Sequence, residues 1–513
     1  MILKSRSGQR VRLSAILFIC FGTGLSADEP GLADLHLSVI PRTAEEAARI
    51  ADVTGPTTDF TVPEAFEARP AGAATVRARR TADAFSQPSA LLDFEGEMDF
   101  RVGNGLFKKL WVSSPASTLA SDGLGPLYNA RSCQRCHLKD GRGHPPEGPE
   151  DSAVSMVVRM GILSDREMAR IEGYIATDPD PVYGRQLQDF SVAGHPAEGW
   201  LTITYEETVV ALSGGETATL RKPIYGVADP GYGPFDPATV FSPRVAPQMI
   251  GLGLLEAIPV EDILAGADPE DLDDDGISGR PNIVMSAEYG VPMLGRFGVK
   301  ATAPTLRQQS ADAFSNDIGI STTLHPAGFG ECTEAQAACR SAPDGSTDIH
   351  DGVEIGDVGL DLVAFYSANL GVPARRDIDD PEVLRGKEMF YEANCTACHR
   401  PKFVTHRLED RPEVSFQLIW PYTDLLLHDM GEDLADNHPA GRADGQEWRT
   451  PPLWGIGLTQ TVSGHTYFLH DGRARSLLEA ILWHGGEAED AKQEVIDMDP
   501  QDRAALIRFL ESL

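Results

Sequence analysis

Two five-residue strings constrain this chain more than anything else in it: Cys133-Gln-Arg-Cys136-His137 and Cys395-Thr-Ala-Cys398-His399. C-x-x-C-H is the attachment sequence of haem c. Two thiols at this spacing reach the two vinyl groups on one edge of a porphyrin, and the next residue brings a nitrogen under the iron. A zinc site shared by both pairs would need them within about 15–20 residues, whereas here they lie in opposite halves of the chain. A thioredoxin-like redox pair explains two cysteines but not a histidine after each. Two haem c groups are therefore the expected cofactors, held by Cys133, Cys136, Cys395 and Cys398 with His137 and His399 as proximal ligands.

Haem c is attached outside the cytoplasm, and the N-terminus agrees with export. Lys4, Arg6, Arg10 and Arg12 precede an apolar run, Leu13–Gly24, and Leu25-Ser26-Ala27 is a small-residue cleavage site before Asp28-Glu29. The run is shorter than the ~20 residues a spanning helix needs. Ile19 stands before Cys20 where a lipoprotein signal requires a small residue. Residues 1–27 are expected to be a cleaved signal peptide, with the mature protein in the periplasm. The chain carries 44 basic and 77 acidic residues, a formal charge of −33. Such a surface repels nucleic-acid phosphate and anionic lipid, so neither is an expected partner.

Of the other cysteines in the exported part, Cys332 and Cys339 share a polar loop. A structural disulfide is the plain reading in an oxidising compartment; a redox-active pair serving the haems is the alternative.

A cytochrome c domain brackets its haem between two crossing helices. Around the second motif, Asp380-Pro381 opens a helix holding Gly386, Phe390 and Tyr391, and Asp499-Pro500 opens another with Leu506, Ile507, Phe509, Leu510 and Leu513 at helical spacing. Around the first, Gly105–Trp111 precedes the motif, and the next closing helix is Gly359–Leu370. The expected fold is mainly α: two cytochrome c-like domains, 85–375 and 377–513. The first would carry a large irregular, β-containing insertion at about 150–350, with strand-like stretches at Trp200–Tyr205 and Thr217–Tyr225. Residues 28–84 show no period and read as an extended leader. Lys300-Ala-Thr-Ala-Pro-Thr-Leu306 and Arg449-Thr-Pro-Pro-Leu-Trp454 suggest a weak internal duplication.

Asp271-Leu-Asp273-Asp-Asp275-Gly276-Ile277 matches the start of a calcium loop, with Asp271, Asp273, Asp275 and the Ile277 carbonyl as candidate Ca²⁺ ligands. It departs from an EF-hand at Asn282, where a bidentate Glu belongs. A solvated acidic turn is the competing reading.

Several longer strings carry a family resemblance: Gly125-Pro-Leu-Tyr-Asn129, Gly251–Pro259, Gly276–Arg280, Pro421–Gly431, Trp448–Gly455, and Leu469–Ala474 through His484–Ala488. Over nearly all of residues 85–513 the chain resembles the bacterial di-haem oxidoreductase family, often labelled thiol oxidoreductases. These proteins are distant relatives of the di-haem cytochrome c peroxidases. The resemblance implies one haem that stores electrons and a second that opens to peroxide beside a carboxylate and a cation. By position it makes Asp317 the acid/base, in place of the usual Glu, with Arg307 near it. Arg473, His484 and Glu487 form a comparable cluster in the second half, and structural ion pairing is their alternative. Met430 is the candidate sixth ligand of the second haem, against a role in core packing. His144 reads as a hydrated loop residue rather than a distal ligand.

The expected function is electron transfer through two haems from a small redox protein to a small substrate, hydrogen peroxide first among them. An electron-transfer cytochrome without substrate turnover and a haem-bearing iron-handling partner are the alternatives.

Overall fold

The computed structural model describes residues 32–118, 120–148, 151, 154–163 and 177–513. The expected signal peptide, 1–27, lies outside these residues. No helix among those described is long and apolar enough to cross a membrane.

Two helix crossings organise the molecule. The helix Phe94–Lys108 is capped by Asp93, whose side chain accepts from Gly96 N, and it packs on Asp357–Ala368. The crossing is close because Gly103 has no Cβ: one placed there would meet the Tyr366 Cβ at 2.8 Å and run into the Leu362 carbonyl. In the second half, Pro381–Glu392 and Pro500–Ser512 cross the same way. Each begins with Asp as cap and Pro as its first residue. There Gly386 lies on Ala505, with the Phe509 Cβ 2.7 Å from where its own Cβ would stand. One turn beyond each glycine sits an aromatic ring, Phe107 or Phe390. Each packs on a ring of the opposing helix, Tyr366 at 5.1 Å and Phe509 at 5.3 Å.

The rest departs from a mainly α chain. Helix makes up 30% and strand 19%, so the fold is mixed. The described strands form seven two-stranded ladders and one three-stranded sheet. Most are two or three residues long, cut short by the many Gly and Pro. The exceptions are Met156–Leu163, paired with Thr239–Val245 along seven positions, and the hairpin Trp200–Ala211/Thr217–Ala228, paired in register along all twelve. The hairpin's Thr-, Val- and Ile-rich strands suit a pleated ribbon, and they run further than the two short stretches expected. The hairpin leaves the first half and lies on the second: Leu212 and Leu220 join its core. Arg221 Nε donates to the Arg473 carbonyl (2.9 Å), Tyr225 Oη to Asp471 (2.7 Å), and Arg503 Nη2 to the Ser213 carbonyl (3.0 Å) and to Glu216 (2.8 Å).

Residues 32–84 are also more than an extended strap. A capping box, Thr43 with Glu46, starts the helix Ala44–Thr54. Leu32, Leu37, Ala71 and Ala84 enter the main apolar core. Glu67 is buried between Arg375 and Lys387. A short amphipathic helix flanked by irregular chain leaves too brief a period to read. Cys332 and Cys339 are disulfide-bonded and buried beside Leu127.

Candidate functional site

Both C-x-x-C-H strings fold into tight turns downstream of the helices whose glycines make the crossings, the second directly after its helix and the first beyond three short strands. Cys133–Cys136 is a single helical turn and Cys395–Ala397 a tighter one. None of the four thiols is in a disulfide. Burial pushes the Cys133 and Cys395 thiols up to about 12, so they are uncharged. His137 Nδ1 donates to the Pro247 carbonyl (2.8 Å) and His399 Nδ1 to the Tyr422 carbonyl (3.0 Å). A carbonyl can only accept, so the proton is fixed on Nδ1 and the Nε2 lone pair is left free. Burial lowers both rings to about 4, keeping them neutral. Phe107 lies 6.3 Å from His137 and Phe390 6.2 Å from His399, ring centre to ring centre.

The two motifs open into one cavity of about 890 Å³. Its walls are mostly apolar, but Arg142, Arg159, Arg244 and Arg449 reach it. Burial lowers Arg142, Arg244 and Arg449 to about 10, so holding their charge there is costly. Arg244 Nη2 is buried without a hydrogen-bond partner, 3.9 Å from Asp436 Oδ2. Cationic and orphaned donors over an apolar void fit a flat apolar ring that carries carboxylates, as haem does. The residues present fit the group: paired thiols, a lone pair on each proximal histidine, and cations for the propionates.

Asp317 stands in this cavity wall near the first motif, on a turn of π-helix, Phe314–Ile318, that continues the helix Leu306–Ala313. Its carbonyl accepts from Asn129 N (2.9 Å) and Ala130 N (3.0 Å), tying it to the residues just before Cys133. Its carboxyl accepts from Gln186 Nε2 (2.8 Å). Burial pushes that carboxyl above the usual range, against the pull of Arg159. Arg307 is not part of this group. It points away into ion pairs with Asp357, Asp361 (2.7 Å) and Glu288 (3.3 Å), and Arg159 is the cation that faces Asp317.

The cluster of Arg473, His484 and Glu487 divides. Arg473 lies under the long hairpin, bonded to Asp471 (2.8 Å) and over the Trp483 ring at 4.8 Å, outside the cavity lining. His484, Glu487 and Met430 all line the cavity. Glu487 Oε2 meets His428 Nδ1 at 2.6 Å, while His428 Nε2 meets Asp424 at 2.8 Å. Cys398 Sγ is 3.5 Å from the same Nδ1. Burial opposes charge on His428, but the two carboxylates and the thiol outweigh it and raise its pKa well above the ordinary value. The sequence did not single out His428 or Asp424. A three-residue ladder places His428 opposite Trp448, and so short a ladder leaves no pattern.

Of the expected calcium ligands, Asp271 and Asp273 come together, with Asp268 as the third carboxylate. Asp275 and Ile277 are not in that group; they border the cavity instead. Asp271 Oδ1 accepts from Gly276 N (3.1 Å) and Asp275 Oδ1 from Ile277 N (2.8 Å), which closes the loop on itself. His144 does not line the cavity; its Nδ1 meets its neighbour's Pro145 carbonyl at 2.8 Å and its ring packs on His465.

A protein-family model described as "Di-haem oxidoreductase, putative peroxidase" matches residues 66–513. No curated protein matches. Among solved structures, the chain is similar to hydrazine synthase of Kuenenia stuttgartiensis, studied under xenon pressure. The two share 16% identity over 36% of this chain and 64% of that one, with a TM-score of 0.21. That likeness is too slight to bear on fold or chemistry.

Proposed function

The chain belongs to the di-haem oxidoreductase, putative peroxidase family, and from that premise we propose that it is an exported di-haem c enzyme that reduces hydrogen peroxide. The observation that carries this reading is the single cavity reached by both attachment motifs, with the carboxyl of Asp317 in its wall.

The overall change is H₂O₂ + 2e⁻ + 2H⁺ → 2H₂O, with both electrons drawn from a small redox protein. Bound haem would store electrons and offer iron to a peroxide oxygen. The remaining work falls to the chain. Asp317, its carboxyl pushed above the usual range by burial, can give a proton to the departing oxygen and recover it from solvent. Gln186 holds the carboxyl in place, and its amide keeps one oxygen from rotating away. Arg159 stabilises the negative charge that forms as the O–O bond breaks. The apolar lining excludes water from the transfer. Secretion by residues 1–27, and a periplasmic site of action, belong to the same reading, since haem c is joined to its thiols outside the cytoplasm.

The test is the purified holoprotein, oxidised and half-reduced, mixed rapidly with peroxide. Consumption of one peroxide per two electrons, with Asp317→Asn slowed ~10²–10⁴-fold as loss of a general acid implies, supports the reading. Two haems whose spectra ignore peroxide would make the protein an electron carrier.

A further inference from the structure

Six histidines line the cavity, and three have one arrangement in common: His137, His399 and His484. Each bonds a backbone carbonyl through Nδ1 and leaves Nε2 without a protein partner among the described residues. For His484 the acceptor is Ala480 O at 2.8 Å. The other three differ. His428 has both nitrogens on carboxylates, His438 has an unpartnered Nδ1, and His470 stacks on Trp448 at 3.5 Å. His137 and His399 owe their arrangement to being proximal ligands. His484 has it without any C-x-x-C before it.

We propose that His484 Nε2 is the sixth ligand of the second haem iron, opposite His399, in place of Met430. This inference rests on the di-haem reading above and deepens it.

The local chain accounts for the position. Leu477–Leu482 is a short helix capped by Ser476, whose side chain accepts from Glu479 N. It ends with Trp483 N bonded to Glu479 O and His484 N to Ile481 O (3.0 Å). The Nδ1 bond to Ala480 then folds the ring back along the helix with its other edge outward. Burial lowers the ring's pKa, and the neutral tautomer with its proton on Nδ1 is the one that can coordinate through Nε2. The ring lines the same cavity as His399, close enough to oppose charge on it.

The two candidates share one wall. Gly485 and Gly486 follow His484, and the Cβ of a residue at 485 would stand 3.1 Å from the Met430 carbonyl. Gly486 and Gly431 both have positive φ, +56° and +76°, and Gly431 approaches Gly486 N to 2.9 Å from where its own Cβ would be. The glycines let the His484 turn lie flat on Asp429–Gly431, so both side chains are presented from the same place and a single axial position can take one. The imidazole is oriented by a hydrogen bond. The thioether is flexible and already packs against the second-half core. A pre-oriented ligand loses less freedom on coordination than one with three rotatable bonds.

The consequence is assigned roles. With histidine on both faces, the second iron would be closed to peroxide and confined to passing electrons, and peroxide would be directed to the first, beside Asp317.

Electron paramagnetic resonance and visible spectra of the ferric holoprotein test this, read together with haem content by mass. His484→Ala is expected to keep two haems per chain and convert one low-spin signal to high-spin, and added imidazole should restore it. Met430→Leu should leave both spectra unchanged. His484→Met should raise the reduction potential of one haem. A His484→Ala protein with unaltered low-spin signals would overturn the proposal. So would a thioether-to-iron charge-transfer band that disappears in Met430→Leu, and that result decides the matter even if His484→Ala does not fold. Loss of peroxide reduction with these spectra as expected would instead count against the proposed function alone.

Discussion

The helix Phe94–Lys108 contains its own controlled experiment, because Gly103 and Gly105 are two residues apart in identical secondary structure. Gly105 has nothing within 4 Å of an added Cβ, whereas Gly103 has the Leu362 carbonyl and the Tyr366 Cβ, the latter at 2.8 Å. Alanine at either position should gain about 1 kcal/mol of intrinsic helix preference. At Gly105 that gain stands alone. At Gly103 carbon atoms need ~3.5–4.0 Å between them, so the helices must part by roughly 1 Å. Overpacking of this kind costs about 1–3 kcal/mol, and the displaced Leu362 carbonyl should put this case at the upper end. We therefore expect Gly105→Ala to stabilise by about 1 kcal/mol and Gly103→Ala to destabilise by about 2 kcal/mol net. In thermal unfolding of the holoprotein this is a rise against a fall in Tm, at roughly 2–4 °C per kcal/mol for a domain of 150–250 residues and less for a larger unit. Gly103→Ala should also disturb the absorbance of one haem, since Tyr366 packs on Phe107 and Phe107 on His137. If both variants move Tm in the same direction, the close crossing is not what holds the first site together.

Glu198 is fully buried, accepting from Gln188 N (2.7 Å) and Gln336 Nε2 (2.5 Å), and burial pushes its carboxyl up to about 8. Its folded pKa is raised, so its contribution is intact below about pH 4, the unfolded value, and is lost as pH climbs through about 8. Denaturation of wild type and Glu198→Gln across pH 5–9 should give curves that converge or cross by a few kcal/mol; parallel curves would refute the assignment. Arg244→Gln should leave both thioether links intact by mass and shift one haem's potential downward, because a cation facing the propionates favours the ferrous state and its removal takes that support away; an unchanged potential in both haems would place Arg244 away from them. Cys332 and Cys339 should resist alkylation until reductant is added, which mass spectrometry of freshly purified protein reads directly.

What was legible in the sequence was local or strongly periodic. The attachment strings name their own chemistry, and Asp-Pro fixes the start of both second-half helices. Even the closing helix Asp357–Ala368, more distant from its motif, announced itself through Leu360, Phe365 and Tyr366. What was missed depends on chain far away. Arg307 is the second residue of a helix whose other face borders the cavity, and nothing in Arg-Gln-Gln tells which residue faces in; Gln309 does, and Arg307 pairs with Asp357 and Asp361. The mainly α expectation failed in two ways: most ladders are two or three residues long, too short to alternate visibly, and the long strands Met156–Leu163, Trp200–Ala211, Thr217–Ala228 and Thr239–Val245 run further than the insertion's pattern showed. Asp424 and His428 are met by Glu487 only because the turn at Gly485–Gly486 lies on Asp429–Gly431, nearly sixty residues away in the chain. Residues 32–84 showed no period, yet Glu67 is buried against cations contributed by Arg375 and Lys387.

The long hairpin has an effect on the order in which such a chain can be completed. Its tip, Ser213–Gly215, lies against the start of the last helix: Gly214 meets Pro500, and Arg503 Nη2 closes on Ser213 and Glu216. During synthesis the ribbon is made nearly three hundred residues before its seat. Its tip must wait, with Ser213 and Glu216 unpaired with Arg503, until the final helix has emerged. The last helix is thus a latch that two separate parts of the molecule need at once, the crossing with Pro381–Glu392 and the seating of the ribbon. A chain ending near residue 498 would lose the crossing and the seat of the ribbon's tip together, with only the bonds of Arg221 and Tyr225 to Arg473 and Asp471 and the packing on Leu477–Leu482 left to hold the arm.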